Sequence, residues 1–381
     1  MVNDMRNEVH VVGAGMTPFG RHEGKSLVDL GGDAIRRALS DAGLEYADVE
    51  IAFCGHVAQG STAGQKVLYS LGTTGIPIFN VENACASGTS ALRSAVMAIA
   101  SGMCKVALAV GFEVMRRGPI PTRGDKRLES PQTADGPKVP ALPGLFASLF
   151  RAHSALYGTS AEQMAMVSCK NRQYGARNPR SQYRDQISVE DVLASRPVAP
   201  PLTLLMCCPT SSGAAAVVIA SDDVARRSRA PVRIAASALM SDPPADPKDP
   251  LAGITRINSA VAQRAYEQAG VRPDQIDVAE VHDCFAIAEI VHYENLGFCA
   301  RGEGGKFIEE GLGSARVHVS TSGGLLSKGH PLGATGLAQV VEVVEQLRGD
   351  SGDRQVANAQ FALTHCQGFG GAAGVHIFAK S

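Results

Sequence analysis

The sequence predicts an α/β fold built twice, as two halves packed on each other, with a loop domain inserted into the first half. Three observations predict it: apolar runs alternating with Gly- and Ala-rich helical stretches, three segments that recur in the same order, and unequal offsets between the recurrences. The segments VHVVGAG (residues 9–15), VEIAFCG (49–55), KVALAVG (105–111) and AAAVVIA (214–220) read as strands buried on both faces. Helices are predicted over residues 27–42 and 88–101. A second set of elements begins near Val232 and includes a strand over 276–281.

The recurrences carry the duplication. AIRRALSDAGLEYADVEIA from Ala34 matches VAQRAYEQAGVRPDQIDVA from Val261, so that Ala42-Gly43 falls on Ala269-Gly270. CASGTSAL from Cys85 falls on HPLGATGL from His330, and SGAAAVVIA from Ser212 falls on GGAAGVHIF from Gly370. The offsets of 227, 245 and 158 residues place a large insertion in the first half, between the second and third matches. The predicted halves are 1–228 and 229–381, with the insertion at about 115–198. That insertion carries Pro119, Pro121, Pro131, Pro137, Pro140 and Pro143, then an amphipathic helix around 160–174. A loop of this length commonly covers an active site.

Composition narrows the function. The 381 residues are 45% hydrophobic and 19% charged, enough to bury a large core, which excludes a disordered chain. A formal net charge of -1 provides no field to hold a polyanion, so no nucleic-acid partner is expected. Nine cysteines without a CxxC pair read as reduced thiols in a cytoplasm. The longest uncharged run, 197–221, is broken by prolines and hydroxyl residues, so it reads as core segments and no membrane helix is expected. From residue 115 to 184 there are 12 Lys+Arg against 4 Asp+Glu, a basic cap suited to a phosphate-bearing substrate. Arg123, Arg151, Arg172 and Arg177 are its candidate contacts. GAGMTPFG from Gly13 lacks the glycine spacing of a dinucleotide fingerprint, so no nicotinamide or flavin is expected.

The chemistry concentrates in four places. An isolated cysteine is more often a small buried hydrophobe than a nucleophile, but the repeat sets Cys85 and His330 at equivalent positions, each before a helix. At a helix N-terminus the free N–H groups favour a thiolate, and a converging histidine would serve as its base. VAEVHDCFAIAEI puts His282, Asp283 and Cys284 at a strand end. LTHCQGFGGAAG puts Cys366 and Gly368 ahead of a glycine turn able to present backbone N–H groups to an oxyanion.

These residues resemble the thiolase superfamily from Val9 to Phe378. NACASGTSAL is similar to its nucleophile motif, HDCF to a variant of its Asn-Glu-Ala-Phe motif, GHPLGATG to its histidine motif and HCQGFGG to its C-terminal motif. The HDCF form, with PLTLLMCCPTSSGAAAVV, is most similar to the sterol-carrier-protein and archaeal-type branch, although Met206 and Ser212 stand where that branch has Asp. The resemblance implies a five-layered αβαβα sandwich and ping-pong acyl transfer on coenzyme A thioesters, with no permanently bound cofactor and no metal. It implies Cys85 as nucleophile, His330 as its base, a water held by His282, and an oxyanion hole from the N–H groups of Cys85 and Gly368. Cys366, with Cys284 as rival, would be the α-proton acid/base. A homodimer or homotetramer is implied, and a small accessory protein is possible in this branch. Alternatives are acyl transfer to a non-CoA carbon nucleophile, retro-aldol cleavage of a steroid-like CoA thioester, a subunit needing a partner, and a zinc-binding structural protein using His282, Cys284, His292 and Cys299.

Overall fold

A computed structural model describes residues 7–116, 141–244, 249, 251–311 and 317–381. The first half runs β1 (Val9–Met16), α1 (Leu27–Ala42), β2 (Ile51–Gly55), α2 (Ala63–Leu68), β3 (Ile78–Val81), α3 (Ser87–Ala100) and β4 (Val106–Glu113). Next come α4 (Ala141–Tyr157), α5 (Ala161–Ala176), α6 (Val189–Ala194) and the hairpin β5 (Pro197–Ala199) and β6 (Leu202–Thr203), before β7 (Gly213–Ser221) and α7 (Asp222–Ala225). The second half runs β8 (Val232–Ser241), α8 (Ala252–Ala269), β9 (Val278–Glu280), α9 (Ala286–Asn295), α10 (Gly304–Glu309), β10 (His318–Val319), α11 (Gly324–Lys328), α12 (Thr335–Arg348), β11 (Phe361–Gly368) and β12 (Ala372–Lys380).

The strand order is β10-β9-β11-β12-β8-β1-β7-β4-β2-β3. Read outward from the β8–β1 junction, the two sides are the same arrangement, so the sequence repeat is a structural one. The sides are joined through a short antiparallel pairing, His10 with Arg233 and Val11 with Val232. The repeated Ala-Gly pairs become identical helix stops: Gly43 and Gly270 end α1 and α8 in the left-handed region at φ 66° and 69°, where a side chain is unfavourable.

Strand alternation sorts the apolar residues into three cores. Val106, Leu108, Val110 and Phe112 of β4 face α1 and α2, whereas Ala107 and Ala109 face α3 and α12. β7 alternates likewise, with Ala214, Ala216 and Val218 on one side and Ala215, Val217 and Ile219 on the other. The third core lies between the second half's strands and α8, α9 and α5. The result is the expected five layers, with α3 and α12 in the middle. Both middle helices are buried over most of their circumference, as helices between two sheets must be. Their contact is too close for side chains: a Cβ on Gly88 would lie 2.7 Å from the Gly333 carbonyl oxygen, and one on Gly336 would lie 2.6 Å from the Thr89 nitrogen.

Two expectations need correction. The helix expected to be amphipathic around 160–174 is α5, capped by Ser160, but it buries Met164, Ala165, Val167, Cys169, Lys170, Asn171 and Arg172. It is enclosed because α6, α9, α10 and α11 all pack on it, and its ammonium at Lys170 is matched by the Glu289 carboxylate. The strand expected over 276–281 is shorter, Val278–Glu280, because the residues after it turn into the site. Among the described residues no helix is long and apolar enough to cross a membrane.

Glycine spacing between the halves is open to test. A Cβ at Gly111 would lie 2.1 Å from the Gly333 carbonyl oxygen, whereas one at Gly253 meets nothing within 4 Å. Gly111→Ala is therefore expected to destabilise by about 1–3 kcal/mol or more in urea unfolding. Gly253→Ala, in the first turn of α8, is expected to leave the midpoint unchanged or raise it. Equal effects of the two substitutions would contradict the backbone contact.

Candidate active site

Cys85 stands between β3 and α3 on a turn whose preceding residue, Ala84, adopts φ 48°. An alanine in the left-handed region is held there against its preference by surrounding bonds. The Glu82 carboxylate accepts from the Ala84 N–H at 2.7 Å, Ser87 Oγ accepts from the Asn83 N–H at 2.9 Å, and Asn83 Nδ2 donates to Ser90 Oγ at 2.8 Å. His330, expected on a turn before a helix, lies on the bend between α11 and α12, which begins five residues later at Thr335. The two side chains meet across the seam, with His330 Nε2 3.3 Å from Cys85 Sγ.

Bonding around His330 favours one tautomer. Thr335 Oγ1 lies 2.9 Å from the Pro331 carbonyl and 2.7 Å from His330 Nδ1. With the hydroxyl proton on the carbonyl, Thr335 accepts from Nδ1–H, the tautomer that turns the Nε2 lone pair to the thiol. His282 brings its own Nε2 to 3.5 Å from His330 Nε2. The His282 backbone N–H points to His365 Nδ1 at 3.5 Å, and His365 Nε2 donates to Asn258 Oδ1 at 2.8 Å.

The protonation state departs from the expected thiolate. Burial, reinforced by the charges of Glu113 and Glu82, pushes the Cys85 thiol up to about 12. Burial also holds His330 well below its ordinary value, helped by His282, and lowers His282 to about 3. The helix start lies in an enclosed, weakly solvated environment, so desolvation outweighs the macrodipole. Both shifts favour a resting thiol and neutral imidazole over an ion pair.

The other motif residues converge. Cys366 Sγ donates to the Cys85 carbonyl oxygen at 3.1 Å, and Cys85, Leu332 and Cys366 form one small buried cluster. Gly368 runs against the nucleophile turn, since a Cβ there would lie 2.0 Å from the Asn83 carbonyl oxygen. Cys284 belongs to the neighbouring outer core, and its carbonyl accepts from the Cys208 N–H at 3.0 Å. Asp283 braces the histidine loop: its carboxylate accepts from the N–H groups of Leu325 and Leu326 at 2.8 and 3.2 Å and from Asn171 Nδ2 at 2.7 Å. Burial, then the charge of Glu289, raises Asp283 to about 8.

Sequence reasoning missed Glu113. Its carboxylate ends β4, is 1% exposed, and accepts from the N–H groups of Val57, Ala58 and Gly333, each at 3.0 Å. It thereby ties the loop after β2 to the turn that carries His330. The available signal was an acid terminating an otherwise apolar strand. Thr335 was missed for want of any local signal. Ser212, where Asp was expected, accepts from the Met115 N–H at 3.0 Å, and Met206 is fully buried.

The arginine candidates separate. Arg151 is exposed and donates to the Pro200 carbonyl, and Arg177 is exposed at the end of α5. Arg172 is turned inward over the Tyr183 ring, 4.3 Å from its centroid, which removes it from the set able to grip a phosphate. Arg123 lies outside the described residues. Among the described residues, the groups able to hold a metal ion are Cys85 with His282 and His330, and Glu8 with His10 and Asp222. The expected alternative of a zinc site from His282, Cys284, His292 and Cys299 is not assembled. All nine cysteines are free.

Comparison with known proteins matches this arrangement to two family models, the thiolase N-terminal domain over residues 9–223 and the thiolase C-terminal domain-like model over 248–380. The chain belongs to the thiolase family. It is thus an acyltransferase. It is 42% identical to sterol carrier protein 2 of Bos taurus, covering 98% of this chain and 72% of that protein. It is also 42% identical to the acetyl-CoA acetyltransferase of Methanothermobacter thermautotrophicus, covering 98% of this chain and all of that enzyme. Among solved structures, the Ltp2-ChsH2(DUF35) aldolase superposes with a TM-score of 0.85 at 26% identity, covering 99% of each chain.

Two outcomes follow from the electrostatics of this thiolase site. Because a resting thiol is favoured at Cys85, its alkylation by iodoacetamide is expected to be slow at neutral pH and to keep rising through the alkaline range. A rate plateau reached near neutrality would mean an ion pair. Burial also holds His365 and His376 down to about 3 and His292 well below 6.5, alongside His282 and His330. Below pH 6.5 the unfolded chain takes up protons that the folded chain refuses, so stability is full above that pH and falls beneath it. The slope is about 1.4 kcal/mol per pH unit for each such histidine. Urea midpoints that stay constant from neutral into mildly acid pH would contradict this.

Proposed function

We propose that this thiolase transfers acyl groups between coenzyme A thioesters by a ping-pong route through an acyl thioester on Cys85. The observation that carries the reading is His330 Nε2 facing Cys85 Sγ at 3.3 Å. As Sγ attacks the thioester carbonyl, its proton passes to His330 Nε2. The C–S bond to CoA breaks, and the same proton leaves on the CoA thiol. Forming charge only during attack suits a buried neutral pair, because no isolated ion must be kept out of water beforehand. The N–H groups of Cys85 and Gly368 would receive the tetrahedral oxyanion, and His282 would hold a water or the second substrate's carbonyl.

The contact between Cys366 Sγ and the Cys85 carbonyl favours Cys366 as the group exchanging the α-proton of the second acyl-CoA, with Cys284 as rival. The halves 1–228 and 229–381 would then each supply one member of the nucleophile–base pair. Arg151 and Arg177, and Arg123 beyond the described residues, are proposed for the CoA phosphates. β3 is an edge strand with Phe79 half-exposed, which suits pairing with a second copy in a homodimer or a homotetramer. The nine free thiols suit a reducing cytoplasm.

A second reading has one observation in its favour, the high TM-score to an aldolase solved with a DUF35 protein. Under it the chain would cleave a carbon–carbon bond by retro-aldol chemistry with a small accessory protein, and Cys85 would form no acyl intermediate. Intact-mass spectrometry after brief incubation with acetyl-CoA separates the two. A gain of about 42 Da in wild type, absent in Cys85→Ser, is expected for covalent acyl transfer. No adduct from any of a panel of acyl-CoA esters would overturn the ping-pong reading.

A further inference from the structure

Three metal-ligating side chains far apart in the chain meet in the cleft. The donor atoms of Cys85, His282 and His330 all lie within 4.8 Å of one another. Tetrahedral zinc, with bonds of about 2.0–2.1 Å to nitrogen and 2.3 Å to sulfur, separates its donors by about 3.3–3.6 Å. The Nε2 atoms of His282 and His330 are 3.5 Å apart, and His330 Nε2 is 3.3 Å from Cys85 Sγ. Two edges of a zinc tetrahedron are thus present before any ion arrives.

The donor chemistry points the same way. One sulfur and two imidazoles, with no carboxylate among them, suit a zinc-class ion and not magnesium or calcium. His330 Nδ1 lies 2.7 Å from Thr335 Oγ1, the outer contact that orients a metal-bound histidine. The spacing of these residues forms no zinc module in the sequence, because the ligands are 245 and 48 residues from His330.

We propose that Cys85, His282 and His330 form a three-ligand site for a zinc-class divalent cation, with the fourth position open, and that occupancy withholds Cys85 and His330 from acyl transfer. On binding, Cys85 Sγ releases its proton to solvent and bonds to the ion, and nothing is oxidised or reduced. Binding stands on the geometry alone, whereas the inhibition rests on the acyl-transfer reading.

The test is a titration of metal-free protein with Co2+ as a spectroscopic stand-in for zinc, in the absence of substrate. One equivalent is expected to produce a thiolate-to-cobalt charge-transfer band that Zn2+ abolishes. Cys85→Ser, or alkylation of wild-type Cys85, should remove the band, and His282→Ala should weaken cobalt binding by at least about 10-fold. His10→Ala, at the other metal-capable cluster, should leave the band intact. No band in wild type, a band that survives loss of Cys85, or a band lost with His10 would overturn the site. Zn2+ should also abolish acyl-enzyme formation until a chelator is added. Full acylation in the zinc-loaded protein would overturn the inhibition, while a chain that never acylates would leave the cobalt result standing and count against the acyl-transfer reading.

Discussion

The backbone contact between α3 and α12 is the constraint on which the rest of the molecule depends. Gly88 meets the Gly333 carbonyl, and Gly336 meets the backbone and hydroxyl of Thr89, with no room for a further side chain. Cys85 of one half can therefore reach His330 of the other. Glycine is costly inside helices because it gives up more chain entropy on ordering. Here it is retained where a methyl group would push the two sheets apart and open the 3.3 Å gap between Cys85 and His330.

Around that contact, buried polar groups act as braces between motifs. Glu113 joins the loop after β2 to the His330 turn, Asp283 joins the HDCF strand end to α11, and Thr335 favours one His330 tautomer. Each brace is a carboxyl or hydroxyl group whose bonding partners are supplied within the fold, as burial demands. The same enclosure sets the chemistry. On the proposed route it keeps thiol and imidazole neutral at rest and reserves charge separation for the moment of attack, when the N–H groups of Cys85 and Gly368 would receive it.

Much of this was legible in the residues. Ala42-Gly43 and Ala269-Gly270 announced two matching helix ends, and the registration of Cys85 on His330 announced a shared cleft before any contact was known. Local patterns could not disclose burial set by distant elements. The pattern 160–174 reads as amphipathic, but four helices enclose α5. Cys85 at a helix start reads as a thiolate, but the opposite half removes its solvent. Arg172 reads as a basic surface residue, but Tyr183 holds it inward. Glu113 carried a usable signal in its position at the end of an apolar strand, whereas Thr335 became meaningful only once its hydroxyl was seen between Pro331 and His330.

The central claim is that His330, delivered by the second half, acts as the base for Cys85 of the first. Its most direct test is the single-turnover rate of acyl-enzyme formation in His330→Ala beside wild type, with folding verified by the urea midpoint. Loss of a positioned base is expected to slow acylation by about 10²–10⁴-fold while leaving the acyl group on Cys85. An unchanged acylation rate in a folded His330→Ala protein would contradict the account.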